Sequence, residues 1–294
     1  MTNIIFFGSS PYSVIILQKL LEIKDFQISA VFSKTDKPVG RHQQIISNPV
    51  AAFAKENNLP LFQIDSFDAD LRSKIYHLKP DLGLVVAFGP PYFDQETIDI
   101  PQYKIVNIHP SPLPKYRGAT PGPWQIINGE TKSAVTFFQI DALPDHGPII
   151  SQLPFEISPT ETATTFYVKA FDLAAQNLET VLNEYIYHLR SNIYHLTPQD
   201  HSQKTYFPKF DKDKAQINWS WDQAKIARFI RALNPWPVAW TYVTNQKGDQ
   251  FKMKIFSSTL NFKLSTLNLG QVQIEGKTIT SWSEISSYYT IKKS

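Results

Sequence analysis

Leu82-Gly83-Leu84-Val85-Val86-Ala87-Phe88 is an apolar run in which polar and apolar positions do not alternate, and Ile4-Ile5-Phe6-Phe7 is a second. A strand with one wet face alternates with a period of two, whereas a strand covered on both faces has no reason to. Both runs read as strands buried inside a parallel sheet. Around them strand and helix take turns, with strands at 28–32, 61–64, 104–109 and 134–140 and helices at 49–57 and 69–78. Gly8-Ser9-Ser10-Pro11 turns the chain from the first strand into a helix, where Val14, Leu17 and Leu21 are expected to share the buried face. This succession predicts an α/β fold with a doubly wound, mostly parallel sheet. Ligands of such sheets bind beyond the carboxyl ends of the strands.

A long helix is predicted at 163–190, with Phe166, Ala170, Leu178, Val181 and Tyr185 spaced as a buried stripe. The stretch 191–204 is polar, contains Pro198 and lacks periodicity, so it reads as a linker. A further helix at 221–233 turns Ile226, Phe229, Ile230 and Leu233 to one side, with Ser220 and Gln223 as its capping box. After Asn234-Pro235-Trp236-Pro237 come short β-like runs at 238–243, 252–256, 270–274 and 278–282, which suggest a small β-barrel. The expected organisation is a catalytic domain over 1–190, a linker over 191–205 and a barrel domain over 206–294.

Of the 294 residues, 42% are apolar and 19% charged, a balance that builds a packed core. There is no cysteine, which excludes a disulfide scaffold, a thiolate zinc site and a cysteine nucleophile. No run approaches the roughly 18 apolar residues that a membrane span needs, so a cytoplasmic protein is expected. A monomer is the expectation for its assembly, although no residue pattern fixes it. The net charge of +3 is unevenly spread. From Phe207 onwards 13 Lys and Arg face 6 Asp and Glu (+7), whereas the remainder has 16 against 20 (−4). The basic back end is suited to a polyanion.

The first turn keeps only one glycine of G-x-G-x-x-G and puts Pro11 where a pyrophosphate would approach, so it reads as a tight turn and not a dinucleotide site. No P-loop, metal-spaced histidine pair or G-x-S-x-G elbow is present. The informative stretch is 104–147. Asn107 and His109 are two apart on one strand and point the same way. Pro110, Pro112 and Pro114 then hold a rigid loop just past the strand end. The next strand leads to Asp141-Ala142-Leu143-Pro144-Asp145-His146-Gly147, a turn bearing a carboxylate. Singly, a strand-end histidine is often structural and a turn aspartate often caps its own backbone. Together at one sheet edge, an amide, an imidazole and a carboxylate suit acyl transfer to an amine. The amine must lose protons, and the carbonyl oxygen gathers negative charge.

The run NIHPSPLPKYRGATP (107–121), with NGE at 128–130, AVTFFQIDALPDHG at 134–147 and IISQ at 149–152, resembles the folate-dependent formyltransferases. GSSP at 8–11, SKTDKPVGR at 33–41, VVAFG at 85–89, TYFPKF from 205 and IRALNPWPVAW at 230–240 extend the resemblance over nearly the whole chain. It implies a Rossmann-like catalytic domain followed by an OB-like barrel that binds tRNA. It also implies formyl transfer from 10-formyltetrahydrofolate to initiator methionyl-tRNA, without a metal. By the resemblance, Asn107 donates to the formyl oxygen, His109 orients and polarises the formyl group, and Asp145 holds His109 and takes protons from the amine. Val86, Ala87, Phe88 and Gly89 line the folate pocket with the loop starting at Asp141, largely through backbone groups. Ser111, Pro112, Leu113 and Pro114 match a folate-binding segment, and Lys37 and Arg41 match the loop that reaches the tRNA.

The chain departs from the family pattern at Pro110, where a glycine is usual, and at Pro112. After Arg41 it has His42, Gln43 and Gln44 where further positive charges are usual, which removes phosphate contacts. A nucleotide-linked amino sugar is the alternative acceptor. An RNA-binding module without turnover is the reading from a different class, and the retained triad argues against it.

Overall fold

The structure, a computed structural model, describes residues 1–39, 44–191, 196–261 and 266–292. The chain begins Thr2–Gly8 (β1), Pro11–Glu22 (α1), Phe26–Lys34 (β2), Lys37–Val39 (β3), Gln44–Ile46 (β4), Pro49–Glu56 (α2) and Leu61–Ile64 (β5). It continues Ala69–His77 (α3), Leu82–Val86 (β6), Gln95–Ile98 (α4), Ile105–His109 (β7), Pro121–Asn128 (α5), Lys132–Gln139 (β8), Ile149–Glu156 (β9) and Ala163–Ser191 (α6). After α6 come Gln223–Ala232 (α7), Ala239–Asn245 (β10), Gln250–Ile255 (β11), Ser258–Asn261 (β12) and Thr266–Leu269 (β13). Gln271–Ile274 (β14), Ile279–Ser281 (β15), Trp282–Ile285 (α8) and Tyr289–Ile291 (β16) complete it. Among the described residues no helix is long and apolar enough to cross a membrane.

The chain forms two compact units. The first comprises Met1–Arg117, Ala134–Phe155 and Val168–Tyr206. Its seven-stranded sheet has the order β5-β2-β1-β6-β7-β8-β9, the predicted α/β fold. The strands β5, β2, β1, β6 and β7 run parallel, and β8 runs antiparallel to β7. Every residue of β6 is buried, and β1 is buried except at Asn3, which explains why neither run alternates. The strand β9 lies at the sheet edge, and its residues alternate between half-buried and exposed toward its end.

The buried face of α1 is Ser13, Ile16, Leu17 and Leu20, so the expected stripe of Val14, Leu17 and Leu21 holds only at Leu17. Leu21 is exposed. The cause is Ser13, which completes a capping box with Ser10 and donates its hydroxyl to the Val86 carbonyl at 2.6 Å. That bond turns the helix by about one position, and Ile16 and Leu20 are equally able to fill the core. The stripe of α6 is buried at all five expected positions.

The second unit comprises Phe207–Ser294 together with Gly118–Ser133 and Glu156–Tyr167. Here α5 packs on α7, the Trp124 ring stacks on Phe210 at 4.4 Å, and Arg228 Nε donates to the Ile127 carbonyl at 3.0 Å. The helix α7 is capped by Asp222, which accepts from the Lys225 backbone N–H at 2.7 Å. The expected Ser220/Gln223 box does not form, because the Ser220 hydroxyl donates to Asn218 instead. An antiparallel half-barrel follows, with strand order β15-β14-β11-β10-β16 beside a β12–β13 hairpin. Sequence reading finds β10, β11, β14 and β15 and misses β12, β13 and β16. Those three are short and alternate between half-buried and exposed residues, which leaves little apolar signal.

Candidate active site

Asn107 and His109 stand at the carboxyl end of β7, where Asn107 pairs in register with Val85 on one side and Phe138 on the other. His109 lies opposite Thr136 and is buried. The proline loop beyond it is stitched to the sheet. The Ser111 carbonyl accepts from the Thr136 hydroxyl at 2.6 Å, and the Leu113 carbonyl accepts from the Gln152 amide at 2.7 Å. The Ser111 hydroxyl donates to the Lys115 carbonyl at 2.8 Å, closing the loop on itself.

His109 touches two partners. Its Nε2 lies 3.0 Å from the Tyr116 carbonyl oxygen, and its Nδ1 lies 3.6 Å from Asp145 Oδ1. A carbonyl can only accept, so Nε2 carries the proton and the lone pair of a neutral ring sits on Nδ1, facing the carboxylate. Two acceptors do not close to hydrogen-bond distance, which agrees with 3.6 Å. A proton delivered between Nδ1 and Asp145 is therefore held by both groups. Asp145 itself is in the left-handed backbone region with φ 53°.

Around this pair runs a polar chain inside the same unit. Arg117 is buried, and its Nη2 donates to Gln199 Oε1 at 2.5 Å and to His201 Nδ1 at 2.8 Å. Gln199 Nε2 donates to the Asp145 carbonyl at 3.1 Å and to the Gly147 carbonyl at 2.7 Å. The His201 ring stacks on His146, whose Nδ1 donates to Asp141 Oδ2 at 2.6 Å. Burial lowers the pKa of Arg117, and the charges of Asp145 and Asp141 oppose that shift.

Residues 2–182 match the formyl transferase family, and residues 209–277 match the formyl transferase C-terminal domain. The chain belongs to the formyl transferase family. It is 37% identical over 259 residues to a methionyl-tRNA formyltransferase of Alkaliphilus oremlandii, covering 88% of this chain and 80% of that one. Its fold matches a methionyl-tRNA formyltransferase from Clostridium thermocellum with a TM-score of 0.55 at 17% identity, over 93% of this chain and 99% of that one. It also matches a sugar N-formyltransferase from Shewanella sp FDAARGOS_354 with a TM-score of 0.64 at 16% identity, over 89% and 100%.

In this formyl transferase the structure brings His109 and Asp145 together and puts Asn107 on their strand edge. Among the described residues nothing hydrogen-bonds to the Asn107 side chain. Val86 is buried and its carbonyl is taken by Ser13. Ala87 and Gly89 are exposed with φ 44° and 73°, turning the chain outward, while Phe88 is buried between them. Ser111 and Leu113 are buried, whereas Pro112 and Pro114 are half-buried. Asp141 spends its carboxylate within its own loop, on His146 and on the Leu143 N–H at 3.0 Å. Lys37 is exposed on the β3–β4 hairpin, and Arg41 lies outside the described residues.

Arg117, Gln199 and His201 were not legible as site residues. Arg117 stands inside the recognisable run, but an arginine there carries no signal of burial. Gln199 and His201 fall in the stretch that reads as a linker, and only folding carries them to the Asp145 loop.

Proposed function

We propose that this chain transfers the formyl group of 10-formyltetrahydrofolate to the amino group of methionyl-tRNA, the modification that prepares the initiator tRNA for translation. The observation that carries this reading is the 37% identity to an enzyme of that name over 88% of the chain. The His109–Asp145 pair and the basic stretch from Phe207 support it.

The folate supplies an activated one-carbon carbonyl, and this chain's residues act around it. Asn107, on the side of β7 shared with His109, donates its amide to the formyl oxygen as negative charge grows there. The attacking amine sheds a proton, which His109 Nδ1 and Asp145 accept together. The same pair returns a proton to the departing folate nitrogen, so the site ends the cycle in its starting state. Water exclusion falls to the buried wall made by Ser111, Leu113 and Phe88. The exposed, outward-turned backbone at Ala87 and Gly89 suits a pterin edge that reads backbone groups, with Val86, Phe88, Pro112, Pro114 and Asp141 around it. Lys37, Arg41 and the lysines and arginines of 206–294 serve the tRNA, and 1–190 carries the chemistry.

A nucleotide-linked amino sugar is the second reading, supported by the fold shared with a sugar N-formyltransferase at TM-score 0.64. Formyl transfer from 10-formyltetrahydrofolate with charged initiator methionyl-tRNA and a nucleotide-linked amino sugar as parallel acceptors separates the two. Formylation of the tRNA alone, weakening as salt rises, supports the first reading. Transfer to the sugar alone replaces it with the second.

A further inference from the structure

Residues 196–205 read as a linker in the sequence, yet they grip the loop that carries Asp145 and the loop whose Tyr116 carbonyl holds His109. Thr197 forms a two-way backbone bridge with Ile149, just beyond the Asp145 loop, with N···O distances of 2.8 and 3.3 Å. At the other end Thr205 takes the Tyr116 N–H on its hydroxyl at 2.8 Å and the Arg117 N–H on its carbonyl at 2.9 Å. Tyr116 is the residue whose carbonyl holds His109. Between these anchors sits Gln199, which is 5% exposed.

The amide of Gln199 is fully used. Both Nε2 hydrogens go to carbonyls of the Asp145 loop, and Oε1 takes Arg117. Asp145 gains from that support, because φ 53° lies in the left-handed region, which Asp tolerates better than most non-glycine residues but still less readily than the extended one. Two carbonyls separated by one residue converge on a single donor only if the turn between them keeps this shape. Gln199 therefore fixes the turn that aims the Asp145 carboxylate at His109. Arg117 fixes Gln199 in turn, since a buried guanidinium without that acceptor would lose one of its two described partners.

We propose that Gln199 is a positioning residue for Asp145, acting through the Asp145 and Gly147 carbonyls and locked by Arg117. This rests on the reading of Asp145 as the proton acceptor. Two substitutions separate its donor role from its packing. Gln199→Leu keeps roughly the volume and loses both roles, whereas Gln199→Glu keeps an acceptor for Arg117, loses the donation and turns a carboxylate oxygen toward the two carbonyls.

The full-length enzyme, its Gln199→Leu and Gln199→Glu variants, Asp145→Asn, and the Asp145→Asn/Gln199→Glu double variant are compared by steady-state kinetics and thermal melting. Gln199→Glu is expected to melt below the parent, since two carbonyls lose their donor. Where it is folded it is expected to keep KM for both substrates, while kcat drops about 10- to 100-fold, as a misaimed group costs. In the Asp145→Asn background Gln199→Glu is expected to cost nothing further, since there is no carboxylate left to aim. A parental kcat in Gln199→Glu overturns the proposal, and so does an undiminished loss in the Asp145→Asn background. If Asp145→Asn alone turns over like the parent, the catalytic reading of Asp145 fails first and the positioning role goes with it.

Discussion

His146 and His201 stack ring on ring, with centroids 4.0 Å apart and planes 8° from parallel. His201 Nδ1 accepts from Arg117, so the ring is neutral there. Its pKa is lowered by shielding from water, then by His146, Arg117 and Lys204, with Asp141 opposing. Because the folded value lies below the unfolded one, near 6.5, the unfolded chain takes its proton first as pH falls. Stability is fully present above about 6.5 and declines as the pH drops below it. His201→Asn should lose less melting temperature than the parent between pH 7.5 and 5.5. Parallel melting curves for the two proteins would count against the histidine pair as the sensitive element.

Removing the imidazole or the carboxylate should strike turnover and spare binding. His109→Ala and Asp145→Asn are each expected to lower kcat by about 10²- to 10⁴-fold, the range for a displaced general acid–base group. Donor binding, followed by equilibrium titration with the folate, should stay near the parental value. Near-parental turnover in both variants would remove these residues from the mechanism.

Gly147 has no room for a side chain. A Cβ there would overlap the Gln139 carbonyl oxygen, and the Gly147 carbonyl is one of the two that Gln199 holds. Gly147→Ala should destabilise the protein by about 1–3 kcal/mol, as overpacking does. It should also reduce turnover, because the loop that carries Asp145 must move. A melting curve and a rate matching the parent would show that the loop relaxes without consequence.

Lys34 carries a buried ammonium 3.7 Å above the Phe88 ring centre, and among the described residues its Nζ has no hydrogen-bond partner. Burial pulls its pKa down to about 8; Asp65 opposes the shift and Lys37 adds to it. The unfolded lysine titrates near 10.5, so the folded chain is penalised at pH below 8, and the penalty fades as pH rises from 8 to 10.5. Attraction to the ring offsets only part of this cost. Lys34→Met should melt above the parent at pH 7, with the gap narrowing toward pH 10. A lower melting point at pH 7 would reverse the sign assigned here.

Patterns set by immediate neighbours were readable in the sequence. Unbroken apolar runs disclosed β1 and β6, because a strand covered on both faces needs no polar position. The five-residue stripe of α6 was readable for the same reason, since helical spacing alone places those side chains together. The α1 stripe was not, because the deciding contact is Ser13 with Val86, 73 residues away. The cap of α7 went to Asp222 although Ser220 and Gln223 make an acceptable box, because Ser220 had a nearer partner in Asn218.

The sequence by itself determined the fold class, the family and the placing of Asn107, His109 and Asp145 at one sheet edge, all through local spacing and a contiguous run of residues. Only the tertiary structure decided how that edge is held. It assigned the Nε2 proton of His109 through the Tyr116 carbonyl and converted 196–205 from an apparent linker into a strap. It also buried Arg117 and Gln199 beneath the Asp145 loop. The bond from His109 to Tyr116 spans only 7 positions, but the bonds of the strap and of Gln199 join residues 48 (197 − 149) to 89 positions apart. A polar stretch without periodicity carries no mark of the partner that folding will bring to it.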